Sequence, residues 1–354
     1  MGDHTQPMIL ERFELGAQWP TVDPFLFVAH HRDAYPHGNT NMGPQAPLTG
    51  RRIGMDFDDI DGWNMYHGSS VPGFPQHPHR GFETITYVRQ GLIDHSDSMG
   101  ATARFGRGDT QWMTAGAGVV HAEMFPLVNE DEPNPLELFQ IWLNLPSSNK
   151  MVEPYFTMNW SEYQARRIVE SPGGQVELVN IVGTMSATDA DSTEIRLQAP
   201  APPPDSWAAH PGSQVAITHI QITGNGSVSL DPALSASVNR TLYVFDGEAV
   251  CVGVNAERVD SGVGVRVSAD QPLLLQGVGA SSSVDCLIMQ GQPIGEPVAQ
   301  YGPFVMNDKA ELVKAFEDYN RTQFGGWPWP SPDPVHERKA QRFAVHVDGS
   351  VERP

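Results

Sequence analysis

Residues 77–88 read HPHRGFETITYV and place two histidines, His77 and His79, directly before a run of strand-forming residues. In a β-strand, residues two apart point to the same face, so both imidazoles can converge on one point inside a barrel. Pro78 cannot donate a hydrogen bond to a sheet, which predicts that the pair lies near the start or the edge of a strand. The stretch therefore predicts β-structure with two histidines on one face.

Short apolar runs bounded by Gly, Asp and Ser recur along both halves of the chain. This close spacing favours a sandwich or barrel over alternating strands and helices. The 34 glycines and 30 prolines interrupt the 354 residues too often for long helices, and this length suggests about two domains. We therefore expect two halves of mostly antiparallel β-structure, joined around residues 147–160. The predicted strands of the first half are 23–28, 52–57, 83–88, 102–105, 110–114, 119–124 and 138–143.

One helix is predicted near the C-terminus. Asp308 can cap it, Glu311 can complete a capping box, and Gly325 can end it. Residues 327–354 are predicted to be irregular. The expected apolar face of the helix, which should pack against a barrel, consists of Leu312, Val313, Phe316 and Tyr319.

Charge and cysteine content limit the partners and the location. The formal net charge is −20, from 42 acidic and 22 basic residues, which should repel nucleic-acid phosphates and anionic lipid heads. We expect no direct nucleic-acid binding and no membrane binding. Cys251 and Cys286 alone give no disulfide framework of the secreted kind, and residues 1–20 hold no apolar signal segment. The expected location is the cytoplasm.

A second pair, His121 and Glu123, repeats the spacing of His77 and His79. A lone His-x-His pair is more often incidental, on a surface or in a core. The second pair, however, lies in an otherwise apolar strand, where an unpaired carboxylate would be costly to bury. On facing strands the two pairs supply three neutral nitrogens and one carboxylate oxygen. This set predicts a site for one divalent ion such as iron, manganese, nickel, copper or zinc.

Strings around these residues resemble the signature of the pirin family within the cupin superfamily. They are HPHRGFET at 77–84, GDTQWMTAG at 108–116 and HAEM at 121–124, in this order. Similar strings occur from residue 23 to residue 306, so the resemblance covers nearly the whole chain. It implies an all-β fold of two cupin barrels, each a double-stranded β-helix or jelly roll, with a short C-terminal helix. The expected domains are a metal-binding cupin at 1–150, a second cupin without metal ligands at 151–306, and the helix and tail at 307–354.

The pirin pattern assigns the metal to the same four residues. Glu83 occupies the position of the glutamate ligand of other cupins, and we expect it to support the site rather than bind the ion. The second half contains no His-x-His pair, and His210 and His219 stand alone there. Each of them is expected to be a surface or hydrogen-bonded core histidine. Iron(II) is the expected ion because cells supply it, although manganese, nickel, copper and zinc suit the same ligands.

The resemblance implies two functions of different classes. One is an oxygenase of the quercetin 2,3-dioxygenase type, acting on a small aromatic substrate such as a flavonol, with Glu123 as catalytic base. The other is a redox-sensing regulatory protein that binds a transcription factor or a metabolic enzyme, for which the acidic surface is permissive. A metal-binding barrel with a non-flavonoid substrate is a third reading. In each case a monomer is expected.

Four neighbouring residues leave alternatives open. Trp112, Met113 and Met124 can line an apolar substrate pocket or fill the core, and we expect two of the three to be core. Arg80 can orient an anionic substrate or pair with an acidic neighbour. None of these residues is needed for the metal prediction.

Overall fold

The computed structural model describes residues 7–189 and 191–354. The chain divides by its internal contacts into two compact units. One, here called the histidine unit, consists of residues 27–162 and 296–354, and the other, the second unit, is formed around residues 163–295 with the N-terminal segment up to Leu26. The predicted domain limits at residues 150 and 306 stay a prediction.

The strands of the first part of the chain are β1 Ile9–Glu14, β2 Gln18–Trp19, β3 Phe25–Tyr35, β4 Gly73–His79, β5 Phe82–Gln90, β6 Leu92–Asp97, β7 Thr102–Gly106, β8 Thr110–Thr114, β9 Val119–Met124, β10 Asn134–Asn144 and β11 Tyr155–Asn159. The strands that follow are β12 Ala165–Ser171, β13 Gly174–Val182, β14 Thr184–Thr188, β15 Glu194–Gln198, β16 Ala216–Gly224, β17 Ser227–Leu230, β18 Asn239–Gly247, β19 Ala249–Val252, β20 Glu257–Asp260, β21 Val263–Val267, β22 Leu273–Gly277 and β23 Ser283–Gly291. The last elements are β24 Ala299–Tyr301, β25 Phe304–Met306, the helix α1 Lys309–Thr322, β26 Phe343–Val345 and β27 Val351–Glu352.

Two sheets build the histidine unit. One contains strands in the order β11-β8-β5-β10-β3, and the other has the order β27-β26-β7-β6-β9-β4. The strand β5 is rich in β-branched and aromatic residues, as is typical of strands, and it is buried over most of its length. Val88 of β5 and Phe105 of β7 belong to one buried apolar cluster, so side chains from both sheets share a core. Burial of this apolar surface is the main source of stability.

The second unit repeats this plan. Its sheets have the orders β1-β21-β18-β23-β16-β13-β12 and β15-β14-β17-β22-β19-β20. Buried Val, Leu and Ile side chains of both sheets, such as Leu242 and Leu275, form its core. The expected all-β fold of two such units with one short C-terminal helix is confirmed. As predicted, His210 is exposed, and His219 is buried with its Nε2 at 2.7 Å from Asp285 Oδ1.

The helix α1 has the predicted N-cap, but Glu311 Oε2 accepts from the Asn307 backbone N–H at 2.9 Å, so the predicted capping box with Asp308 does not form. Asp308 caps it by accepting a hydrogen bond from the Glu311 backbone N–H at 2.9 Å. Val313 is 57% exposed, so its assignment to the apolar face was wrong, and Ala315 is buried instead. The helix ends at Thr322, and Gln323, with a left-handed φ of 49°, caps it in place of Gly325. No helix among the described residues is both long enough and apolar enough to span a membrane.

Two other predictions, one about residues 52–57 and one about the C-terminal tail, were wrong. Residues 52–57 form bends and turns rather than a strand. The cause is the buried side chain of Arg51, which donates to Asp56 Oδ2 at 2.9 Å and to the Trp63 carbonyl at 2.8 Å and so fixes this segment as a loop. The C-terminal tail is not wholly irregular, because β26 pairs with β7, β27 pairs with β26, and the two extend the sheet by two strands.

Candidate metal centre

The pairing of β4 with β9 positions the two histidine-containing motifs. The strands are antiparallel, His77 lies opposite His121, and Phe74 lies opposite Glu123. A bulge between Phe74 and His77 places one extra residue in β4. The motifs therefore lie side by side on neighbouring strands.

Three imidazoles converge at this place. The ring centroids of His77 and His121 are 4.4 Å apart, and the ring of His79 lies 4.9 Å from each of them. One nitrogen of each ring lies within 4.8 Å of the nitrogens of the other two. Such a spacing allows the three nitrogens to share one ion at ordinary coordination distances of about 2.0–2.1 Å.

Hydrogen bonds fix which nitrogens face the group. The Nδ1–H of His77 donates to the Pro75 carbonyl at 2.9 Å, and the Nδ1–H of His79 donates to the Pro303 carbonyl at 3.4 Å. This tautomer leaves the Nε2 lone pair of each ring available. His121 has both ring nitrogens buried, and neither has a hydrogen-bond partner in the part of the chain that the structure describes. Buried polar atoms are seldom left unsatisfied, so the donor set fits a cation that would occupy these lone pairs.

Burial also keeps these histidines in the form that binds metal. It lowers the pKa of His77 from 6.5 to about 4. It lowers the pKa of His79 and of His121 well below the usual value, and the neighbouring imidazoles add to the effect. At neutral pH all three rings are therefore uncharged, as coordination requires.

Glu123 lies beside the three imidazoles, but its carboxylate is not part of the group of atoms that lie within 4.8 Å of one another. Its Oε2 is 3.9 Å from His121 Nε2, and its side chain is almost fully buried. Thr86 Oγ1 donates to Oε1 at 3.1 Å, and Gln140 Nε2 donates to Oε2 at 3.3 Å. Burial raises the pKa of this carboxyl, while the two hydrogen bonds oppose the shift. The carboxylate is thus held at the edge of the histidine group with a defined orientation.

The other predicted neighbours of the site have structural contacts. Glu83 is buried and accepts a hydrogen bond from Thr114 Oγ1 at 2.7 Å. Arg80 forms an ion pair with Asp318 at 3.0 Å and lies over the ring of Phe324, which matches the acidic-neighbour alternative. The side chains that could have lined a pocket are all fully buried core residues, namely Trp112, Met113 and Met124.

His95 of β6 was missed by the sequence analysis. It is fully buried, lies opposite Glu123 in the strand pairing, and its ring is 5.6 Å from that of His121. Gln111 Nε2 donates to its Nδ1 at 2.9 Å, and its Nε2–H donates to Asp97 at 3.2 Å. Both nitrogens are therefore engaged, in contrast to those of His121. The signal in the sequence was the polar stretch DHSD at 94–97 within a strand pattern.

Aromatic rings flank the histidines. Phe82 and Trp142 lie 5.1 and 5.4 Å from the ring of His79, and Phe74 lies 6.3 Å from that of His77. The Trp142 indole N–H is buried and has no hydrogen-bond partner within residues 7–189 and 191–354. The surroundings of the histidine group are thus apolar on these sides, which strengthens electrostatic interactions there.

The two-sheet units and the histidine group on neighbouring strands define a cupin-type protein. Residues 9–143 match the family model Pirin, and residues 217–325 match the model of the Pirin C-terminal cupin domain. The chain belongs to the pirin family.

Similar proteins include Pirin-1 of Arabidopsis thaliana, 35% identical over 257 residues that span 72% of this chain and 78% of the relative. A Vibrio cholerae protein with the provisional name quercetin 2,3-dioxygenase is 35% identical over 256 residues, 72% of this chain and 80% of the relative. A crystal structure of quercetin 2,3-dioxygenase from Acinetobacter baumannii is 25% identical with a TM-score of 0.65, over 90% of this chain and 98% of that one. A second structure of that description from the same organism has 18% identity and a TM-score of 0.60, covering 91% and 88%, and supports the fold alone.

Proposed function

We propose that this chain is a metal-dependent oxygenase of the quercetin 2,3-dioxygenase type, which acts as a cytoplasmic monomer on a small flavonol-like substrate. The proposed ligands are His77, His79, His121 and Glu123, with iron(II) as the ion. The observation that carries the proposal is the pair of buried His121 nitrogens, which have no hydrogen-bond partner among the described residues, beside two rings that each offer a nitrogen within 4.8 Å. Residues 1–150 would be the metal-binding domain, 151–306 the second cupin, and 307–354 the helix and tail.

The names of the relatives indicate the substrate class, and the aromatic residues near the histidines of this chain suit such a substrate. Two similar proteins are named for quercetin, a planar aromatic compound with ionisable hydroxyls. Phe74 and Trp142, both half-buried, border the histidines with aromatic surface suited to a planar ring, and the fully buried Phe82 packs behind them. A bound divalent ion would supply a Lewis acid that favours the deprotonated form of a substrate hydroxyl.

Glu123 is proposed as the group that takes this proton. Its Oε2 faces the histidine group at 3.9 Å from His121, and Thr86 and Gln140 restrict its rotation. A carboxylate that is buried and oriented in this way gains proton affinity, because burial disfavours its charged form. The same oxygen can contact the ion and accept the proton at different stages, so both roles are assigned to Glu123.

Aerobic turnover of quercetin tests the proposal. Purified protein is loaded in separate samples with iron(II), manganese, nickel or copper, and the decay of the near-visible absorbance of quercetin is followed. His121→Ala should abolish the decay. His210→Ala is the matched control, because His210 is an exposed histidine that stacks on Trp207 and should leave turnover unchanged. Stoichiometric metal without turnover for any of the ions would reject the enzyme and leave the redox-sensing regulatory function.

A further inference from the structure

A cationic groove lies on the histidine unit, between the turn that joins β7 to β8 and the C-terminal tail. Its volume is about 360 Å³. The concentration of positive charge stands out because the chain as a whole carries a net charge of −20. The basic residues that line the groove are Arg104, Arg107, Arg338, Lys339, Arg342 and Arg353.

An apolar cavity adjoins this groove. It has a volume of about 290 Å³ and is lined in part by Leu127, Leu136 and Phe125. Leu92, Arg107 and Val128 line both cavities, so the two lie side by side. The combined groove has one apolar end and one cationic end, with Arg107 at the junction.

Three of the cations, Arg104, Arg338 and Arg342, are already paired with acidic side chains and form the frame of the groove. Arg104 donates to both carboxylate oxygens of Asp94, at 2.6 and 2.7 Å. Arg342 forms ion pairs with Asp109 and Glu162. Their charges are largely cancelled by these partners, and a ligand would gain little from them.

Arg338 completes the frame. Its guanidinium donates to the Val128 carbonyl at 2.7 Å and lies 3.4 Å from the carboxylate of Glu130. It thereby connects the tail to the edge of the apolar cavity. The tail that supplies it follows the segment 217–325 matched by the C-terminal pirin model.

The remaining cations have no such partners. Among the described residues, the side chains of Arg107, Lys339 and Arg353 form no ion pair, and all three residues are exposed. Their charges all border one concave surface. An anion that enters the groove would therefore meet three uncompensated positive charges, which attract it from solution and hold it at close range.

Arg107 adds an independent observation. It lies in the β7–β8 turn with a left-handed φ of 57°, between Gly106 and Gly108. A side chain in this conformation is disfavoured, and glycine would be the unstrained choice. Strained residues of this kind are concentrated at functional sites. The turn thus has a cationic side chain at a position whose backbone conformation favours glycine, and this position lies where the two cavities meet.

We propose that this groove is a binding site for a small organic anion, in which a phosphate, sulfonate or carboxylate group contacts Arg107, Lys339 and Arg353 and an apolar body enters the adjoining cavity. The two cavity volumes suit a ligand of drug-like size. The site is separate from the histidine group, since none of His77, His79 and His121 lines it. The proposal does not depend on the proposed oxygenase activity.

The fluorescence of 1-anilinonaphthalene-8-sulfonate, an aromatic sulfonate, tests the proposal on the full chain. We expect saturable binding with one molecule per chain, displaced by inorganic phosphate at millimolar concentration. The neutral analogue N-phenyl-1-naphthylamine should bind at least about tenfold more weakly, since it lacks the anionic group. Equal binding of the neutral compound, or no binding of the sulfonate, would overturn the proposal.

Two variant pairs localise the binding. Arg107→Gly removes the cation while relieving the strained backbone, so the fold should be kept and affinity for the sulfonate should fall by about fivefold or more. Arg107→Lys keeps the charge and should retain most of the affinity. Lys339→Ala should weaken binding, whereas Lys314→Ala, an exposed lysine of α1 outside the groove, should not. Unchanged affinity in both Arg107→Gly and Lys339→Ala would contradict the assignment.

Discussion

His77 lies directly opposite His121 in the antiparallel pairing of β4 with β9, and the centroids of the two rings are 4.4 Å apart. This relationship depends on the bulge between Phe74 and His77, because a shift of one residue in the register would turn the side chains to the other face. The three-histidine group is therefore a property of strand pairing. Changes that disturb this pairing should affect metal binding even where they leave the histidines in place.

Divalent metal should stabilise the folded chain through these residues. A ligand that binds only the native state raises the free energy of unfolding by about 2.7 kcal/mol at a free concentration one hundred times its dissociation constant. We expect iron(II) or nickel to raise the melting temperature of metal-free protein, as measured by calorimetry. His121→Ala should remove most of this increase, and His210→Ala should preserve it. An equal increase in the His121→Ala protein would show that the ion binds elsewhere.

The stability of the metal-free protein should depend on pH through His77. Burial lowers its pKa from 6.5 to about 4 in the native state. Above pH 6.5 the ring is neutral in both states, so it makes no difference to stability. Between pH 6.5 and about 4 the unfolded chain binds the proton and the native chain does not, so stability falls as the pH is lowered. The limiting slope is about 1.4 kcal/mol per pH unit.

Comparison with a His77→Gln variant isolates this contribution. The raised pKa of Asp33, about 6, acts in the opposite direction but is common to both proteins. Urea unfolding at a series of pH values should show that the wild-type chain loses stability more steeply than the variant over this range. Parallel curves would mean that His77 has the same pKa in the native and unfolded states and that burial does not hold it neutral.

Glu123→Gln tests the proton-accepting role. The amide keeps the size of the side chain and can still accept from Thr86, but it has no proton affinity of use in catalysis. We expect metal to remain bound and turnover of quercetin to fall by about a hundredfold or more, the usual contribution of a general base. Turnover close to that of the wild type, with the ion still bound, would exclude Glu123 as the base.

Gly81 lies in the turn between β4 and β5, directly after the His77–His79 segment. It has φ +84°, and a Cβ at this position would lie 2.0 Å from the Val305 carbonyl oxygen. Gly100 has a similar φ of +92° with open space around it and serves as the control. Gly100→Ala should cost only the left-handed backbone conformation, roughly 1–2 kcal/mol.

Gly81→Ala adds a backbone collision to this conformational cost. Its free energy of unfolding should therefore fall by clearly more than that of Gly100→Ala, by about 4 kcal/mol or beyond, the range reached by steric overpacking with strain. Its metal affinity should also fall, because the turn fixes His79. Chemical unfolding of both variants provides the comparison. Similar losses of stability in the two proteins would show that the β4–β5 turn moves freely to accommodate the methyl group.

The features that could be predicted from the sequence are those that depend on a local pattern of residues. The strands β8 and β9 have the predicted bounds, and the i,i+2 spacing placed His77 with His79 and His121 with Glu123. Period-two alternation and turn residues are local properties, so they can be read without knowledge of the fold. The capping role of Asp308 was accessible for the same reason.

The sequence could not predict features that arise from contacts distant along the chain. Residues 52–57 have a strand-like composition, but the hydrogen bonds of Arg51 to a later segment fix them as a loop. The strand β26 has only three residues and exists because β7 offers an edge. His95 stood out only after β6 and β9 were seen to pair, since nothing in its own neighbourhood shows that it lies opposite Glu123.

Elemental analysis after reconstitution tests the central claim most directly. Metal-free protein is incubated with iron(II) under anaerobic conditions, freed of unbound ion, and analysed alongside His121→Ala and His210→Ala. The account predicts one ion per chain in the wild type and in His210→Ala, and a value near zero in His121→Ala. A stoichiometry near zero in the wild type with every first-row ion, or an unchanged value in His121→Ala, would contradict it.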